Sequence, residues 1–91
     1  MFFVITYDIE EDKRRNKIAK LLENYGVRVQ FSVFEFKIDN NQIKEIIQKL
    51  SEIIEKEKDS IRIYRICEGC LKEITIIGSG EVTKDLDFYI I

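Results

Sequence analysis

The chain opens on six consecutive apolar or β-branched residues, Phe2 to Tyr7. A strand with one wet face alternates apolar and polar side chains, so this unbroken run predicts a strand buried on both faces. It ends on a carboxylate, Asp8. Ile18, Leu21, Leu22 and Tyr25 then recur at helical spacing, with Gly26 where a helix commonly stops. That pattern predicts a helix from about Asp12 to Tyr25. Val27 to Val33 alternates strictly, after which the phase slips and Phe34, Phe36 and Ile38 carry the apolar face onward. A one-residue slip turns a strand inside out, so a break is expected near Ser32 to Phe34, giving two short strands or one bulged strand.

Asp39 and Asn40 offer caps for a second helix, whose stripe of Ile43, Ile46, Ile47, Leu50, Ile53 and Ile54 runs to about Lys56. The charged run Glu55 to Asp59 reads as a solvated turn. Ile61 to Ile66 and Ile74 to Ile77 read as strands, Gly78-Ser79-Gly80 breaks the chain, and Phe88 to Ile91 closes it with an apolar end. The order is strand, helix, strand pair, helix, strand, with strands appended. This is the α+β, ferredoxin-like βαββαβ pattern, a single domain over residues 1–91. Both helices would cover one face of the sheet. The lack of alternation in Phe2 to Tyr7 requires a cover for the other face, and a second copy of the same sheet supplies it, giving a twofold homodimer. Residues 78–91 form an extension, expected to add as a strand to an edge of the sister subunit or of a partner, or to fold back on its own sheet.

Composition narrows the chemistry. The net charge of −2 gives no global argument for nucleic acid, so that argument rests on local clustering of Lys13, Arg14, Arg15, Lys17 and Lys20. An acid able to hold a metal, Asp8, lies just before bases able to hold phosphate. Asp12 is better placed than Asp8 to cap the following helix, which leaves Asp8 as a candidate ligand. Glu10, Glu11 and Asp12 are positioned to pair with the same bases as ordinary salt bridges. Histidine is absent, which excludes an imidazole base, Ser-His or Cys-His nucleophilic pairs and histidine metal sites. Hydrolysis would then depend on carboxylates with a hard metal, or on Tyr, Lys or Arg. Cys67-Glu68-Gly69-Cys70 is a single C-x-x-C, too few ligands for zinc within one chain, and reads as two small apolar residues in a tight turn. No stretch approaches membrane-spanning length, and no secretory leader is evident. A cytoplasmic protein without membrane association is expected.

These residues together resemble the CRISPR-associated protein 2 family. The matching stretches are Tyr7-Asp8-Ile9, Asp12 to Lys17, Leu21-Leu22, Tyr25 to Gln30, Ser32 to Glu35 and Ile61 to Cys67. No one of them is specific, but their order and spacing are, and the pattern extends to Gly78. The resemblance implies a component of CRISPR spacer acquisition: a ferredoxin-like homodimer with magnesium-dependent nuclease activity on RNA or duplex DNA. In it, the aspartate matching Asp8 from each subunit holds Mg²⁺ and is the catalytic residue. It also implies a bridge between dimers of the integrase subunit of the same systems, in contact with the backbone of captured DNA. Lys13, Arg14, Arg15 and Lys17 suit that sequence-independent contact. Tyr7, Arg28, Phe34 and Arg65 are second-tier candidates for substrate or interface contacts. Two other readings stand beside it: a toxin-type ribonuclease similar to virulence-associated protein D, and a non-catalytic ferredoxin-like regulatory domain. An RNA-recognition module is disfavoured, because its aromatic-glycine strand signature is missing.

Overall fold

The structure, a computed structural model, describes residues 1–83. Strand β1 (Phe2–Asp8) leads through Glu11 into helix α1 (Asp12–Glu23), followed by β2 (Val27–Gln30), β3 (Val33–Lys37), α2 (Asn40–Ile53), β4 (Ser60–Ile66) and a short helix α3 (Glu68–Leu71). The four strands form one antiparallel sheet in the order β2-β3-β1-β4, with β1 in the interior. This is the ferredoxin-like arrangement. The phase slip is resolved by a turn at Phe31-Ser32 together with a register shift between Arg28 and Gln30. Two short strands result, with opposite apolar faces: Phe34 and Phe36 of β3 enter the core, whereas Val27 and Val29 of β2 are exposed on the other face.

The core lies between the sheet and the two long helices. Phe3, Ile5 and Tyr7 of β1 and Phe34 and Phe36 of β3 meet Ile18, Ala19 and Leu22 of α1 and Ile43, Ile46 and Leu50 of α2. Helix α2 begins with a capping box: the Asp39 carboxylate accepts from the Gln42 N–H at 2.8 Å, and Gln42 Oε1 accepts from the Asp39 N–H at 3.1 Å. Gly26 is fixed by packing. A Cβ there would overlap the Glu35 carbonyl and the buried ring of Phe36, so only glycine lets the chain turn this tightly from α1 onto β2.

Four expectations need correction. Residues 74–77 form no strand; Ile77 is 96% exposed, and no described edge pairs with the segment, which an isolated strand requires. The run Glu55 to Asp59 is not wholly solvated, because the Asp59 side chain is buried. Cys67 and Cys70 are not apolar turn residues. Both thiols are exposed and free, and Cys67 caps α3 by accepting from the Cys70 N–H. Finally, Asp12 does not cap α1: Glu11 holds the N-cap position without a side-chain cap, and Asp12 opens the first turn. Within one chain, Val4 and Thr6 of β1 are half-buried and Asp8 is exposed. The expected pairing of Phe88 to Ile91 lies outside the described residues.

Candidate active site

Alternation along the sheet decides which side chains share the helix-free face. The register pairs Val4 with Tyr64, Thr6 with Arg62 and Asp8 with Ser60, so Ser60, Arg62 and Tyr64 stand on the same face as Asp8. These residues line an open cleft of ≈360 Å³ at the carboxyl end of β1. Asp8 makes no salt bridge or side-chain hydrogen bond among the described residues, and its carboxylate is left to solvent or a ligand. Arg62 supplies the positive charge of the cleft. It donates to the Tyr64 hydroxyl at 3.5 Å, which raises its pKa above the ordinary arginine value. Sequence reading passed over Arg62. The signal available was its two-residue spacing from Ser60 and Tyr64, legible only once the register to Asp8 is known.

The basic cluster on α1 divides in two. The Arg14 guanidinium grips Asp59 with both nitrogens, Nε to Oδ2 at 2.7 Å and an Nη to Oδ1 at 3.1 Å, and also pairs with Glu11 at 3.3 Å. Asp59 accepts in addition from the Glu55 N–H at 2.9 Å. The hydrogen bond from Arg14 holds the Asp59 carboxyl below its ordinary value, and the same bond raises Arg14. This pair ties the start of α1 to the loop before β4, and so fixes the two strands that frame the cleft. Arg15 pairs with Asp12 and donates to the Ile9 carbonyl, closing the loop that follows Asp8. Lys13, Lys17 and Lys20 are exposed, without ion-pair partners among the described residues. Their spacing of four and three residues puts them on one helix face.

Tyr7, Arg28 and Phe34 are brought together, but mostly under the surface. The Tyr7 and Phe34 rings stack at 6.3 Å, and Arg28 lies over the Phe34 ring at 5.2 Å while donating to the Tyr7 hydroxyl at 3.2 Å. Tyr7 and Phe34 are buried, so the trio braces the β2–β3 hairpin against β1. Arg65 is elsewhere: it pairs with Phe3, near the end of β1 remote from Asp8.

No cluster of three or more acidic or cysteine side chains suited to a metal exists among the described residues. One chain therefore presents a single free carboxylate at this site. Residues 1–74 match the family described as CRISPR associated protein Cas2. The chain belongs to that family. It is 48% identical over 93 residues to a Chloroflexus aurantiacus protein named CRISPR-associated endoribonuclease Cas2 1, with each chain fully covered. Its fold is similar to that of Streptococcus pyogenes Cas2, with a TM-score of 0.76 and 34% identity over 86% of this chain and 100% of the other. A chain of a partial Cas6-RT-Cas1–Cas2 complex matches at a TM-score of 0.75 and 28% identity, covering 93% of this chain and 96% of that one. No described helix is long and apolar enough to cross a membrane.

Proposed function

We propose that the chain is a Cas2 endoribonuclease of CRISPR spacer acquisition, with Asp8 as its catalytic carboxylate. The observation that carries the proposal is the state of Asp8: exposed at the end of an interior strand, without a cationic partner among the described residues, beside Arg62 in an open cleft. A carboxylate with no structural duty in a chain lacking histidine suits a hard divalent cation such as Mg²⁺. One carboxylate per chain holds such an ion weakly, and the same residue from a second copy would complete the donor set. The half-buried helix-free face supports that second copy. Val4, Tyr64, Ile66 and the two cysteines line a largely apolar cleft there, and Tyr64 is 49% exposed.

When bound, the cation would neutralise phosphate charge and lower the pKa of a coordinated water. The protein's own residues then have distinct tasks. Asp8 holds the ion, Arg62 contacts the phosphate beside it, and the lysine stripe Lys13-Lys17-Lys20 follows the backbone without reading sequence. Arg14 and Arg15 act chiefly as positioning residues, since their guanidinium groups are spent on Asp59, Asp12 and the Ile9 carbonyl. Similarity to a chain of a Cas1-containing complex supports the further role of a DNA-bound bridge to the integrase, using the same basic stripe. Cleavage of RNA and of duplex DNA, each with Mg²⁺ or EDTA, separates the two. Metal-dependent RNA cleavage supports the nuclease, and salt-dependent duplex binding without cleavage of either substrate leaves the bridge alone.

A further inference from the structure

The tip of the β2–β3 hairpin carries Phe31, an aromatic side chain 92% exposed. A phenyl ring in water is unfavourable and has no polar group to satisfy there. The backbone beneath it is nevertheless held firmly. Tyr7 N–H donates to the Ser32 carbonyl at 3.1 Å, and the Tyr7 hydroxyl donates to the Phe31 carbonyl at 3.4 Å. Arg28 braces that hydroxyl from the other side. The β1–β3 register ends on the pair Thr6–Val33, and the Tyr7–Ser32 bond holds the hairpin tip next to the end of β1 that carries Asp8. Asp8 thus pairs with Ser60 on one side, and on its other side the neighbouring hairpin tip carries an exposed aromatic residue.

From this juxtaposition we infer that Phe31 is a base-stacking residue that selects single-stranded RNA for the Asp8 site. The inference rests on the nuclease reading above. A phosphate at Asp8 brings its own nucleotide's base within reach of the neighbouring strand end, and a π-face is what a splayed base seeks. In a duplex the bases are paired and stacked on one another, so they offer Phe31 nothing. Phenylalanine lacks a hydrogen-bonding group, so the contact tolerates any base. The brace through Tyr7 and Arg28 holds the hairpin tip in place before substrate arrives, which limits the entropy lost on stacking.

The test is fluorescence anisotropy with labelled single-stranded RNA and labelled duplex DNA, with Ca²⁺ in place of Mg²⁺ so that a divalent cation still holds phosphate at Asp8, and with gels confirming that the probes stay intact. Sedimentation of each variant runs alongside. F31A should bind the single-stranded RNA about tenfold more weakly than wild type, with duplex affinity unchanged and F31W restoring the RNA affinity. Equal RNA affinity for F31A and wild type overturns the inference while leaving the nuclease reading intact. It is also overturned if F31A loses self-association and both affinities fall together, since the hairpin tip is then a contact between copies. A wild-type protein with no affinity for either probe overturns the nuclease reading itself.

Discussion

The division of the α1 bases has a measurable consequence. Lys13 and Lys17 project from one exposed face, whereas Arg14 is only 17% exposed and grips the buried Asp59. Each lysine that neutralises a phosphate contributes about 0.9 to the slope of log affinity against log salt on duplex DNA, and about 0.7 on a single strand. K13A/K17A should therefore flatten the duplex slope by about 1.8 per engaged protomer. Between roughly 50 and 200 mM salt, the variant then loses about tenfold less affinity than wild type. R14A should leave the slope nearly unchanged and lower the melting temperature instead. Binding isotherms over a salt series, with thermal unfolding of the same preparations, measure both quantities. The reasoning fails if R14A flattens the slope as much as the double lysine variant does, or if K13A/K17A leaves it unchanged.

Two predictions concern the frame of the site. The Asp59 carboxyl has an ordinary pKa of 3.8, and the folded protein holds it lower. Its stabilising contribution is therefore complete above 3.8 and declines as the pH falls from there through the depressed folded value. The stability margin of wild type over D59N should narrow in that acid window; denaturant titrations showing a constant margin would contradict the assignment. G26A should destabilise the fold by about 1–3 kcal/mol, because the new methyl displaces the Glu35 backbone or the buried Phe36 ring. A melting temperature equal to wild type would show that the α1–β2 turn relaxes freely.

Much of the architecture was legible because its signals are local. The stripe from Ile43 to Ile54, the Asp39 cap and the phase slip after Val33 each follow from spacing alone, and each has its counterpart in α2 or in the β2–β3 hairpin. The errors come from pairings that spacing cannot reveal. Asp59 looked like the last residue of a solvated run, yet Arg14, 45 positions earlier, draws it into the interior. Ile74 to Ile77 has strand composition but no described strand to pair with. The site was half legible. Asp8 stood out because a lone acid ended an apolar run, and the basic cluster was plain. The division of labour within that cluster, the place of Arg62 beside Asp8 and that of Phe31 on the adjacent hairpin tip depend on how the strands and loops pair. The unbroken apolar run of β1 correctly signalled an interior strand, but one chain covers its second face only in part.

The central claim is that Asp8 carries the chemistry and does not support the fold. It is tested most directly by comparing D8N with wild type in cleavage of RNA with Mg²⁺ and with EDTA. Melting and salt-dependent binding are measured on the same samples. The account predicts that wild type cleaves only with the metal, and that D8N cleaves in neither condition while melting and binding as wild type does. Undiminished cleavage by D8N, or wild-type cleavage that persists in EDTA, would contradict it.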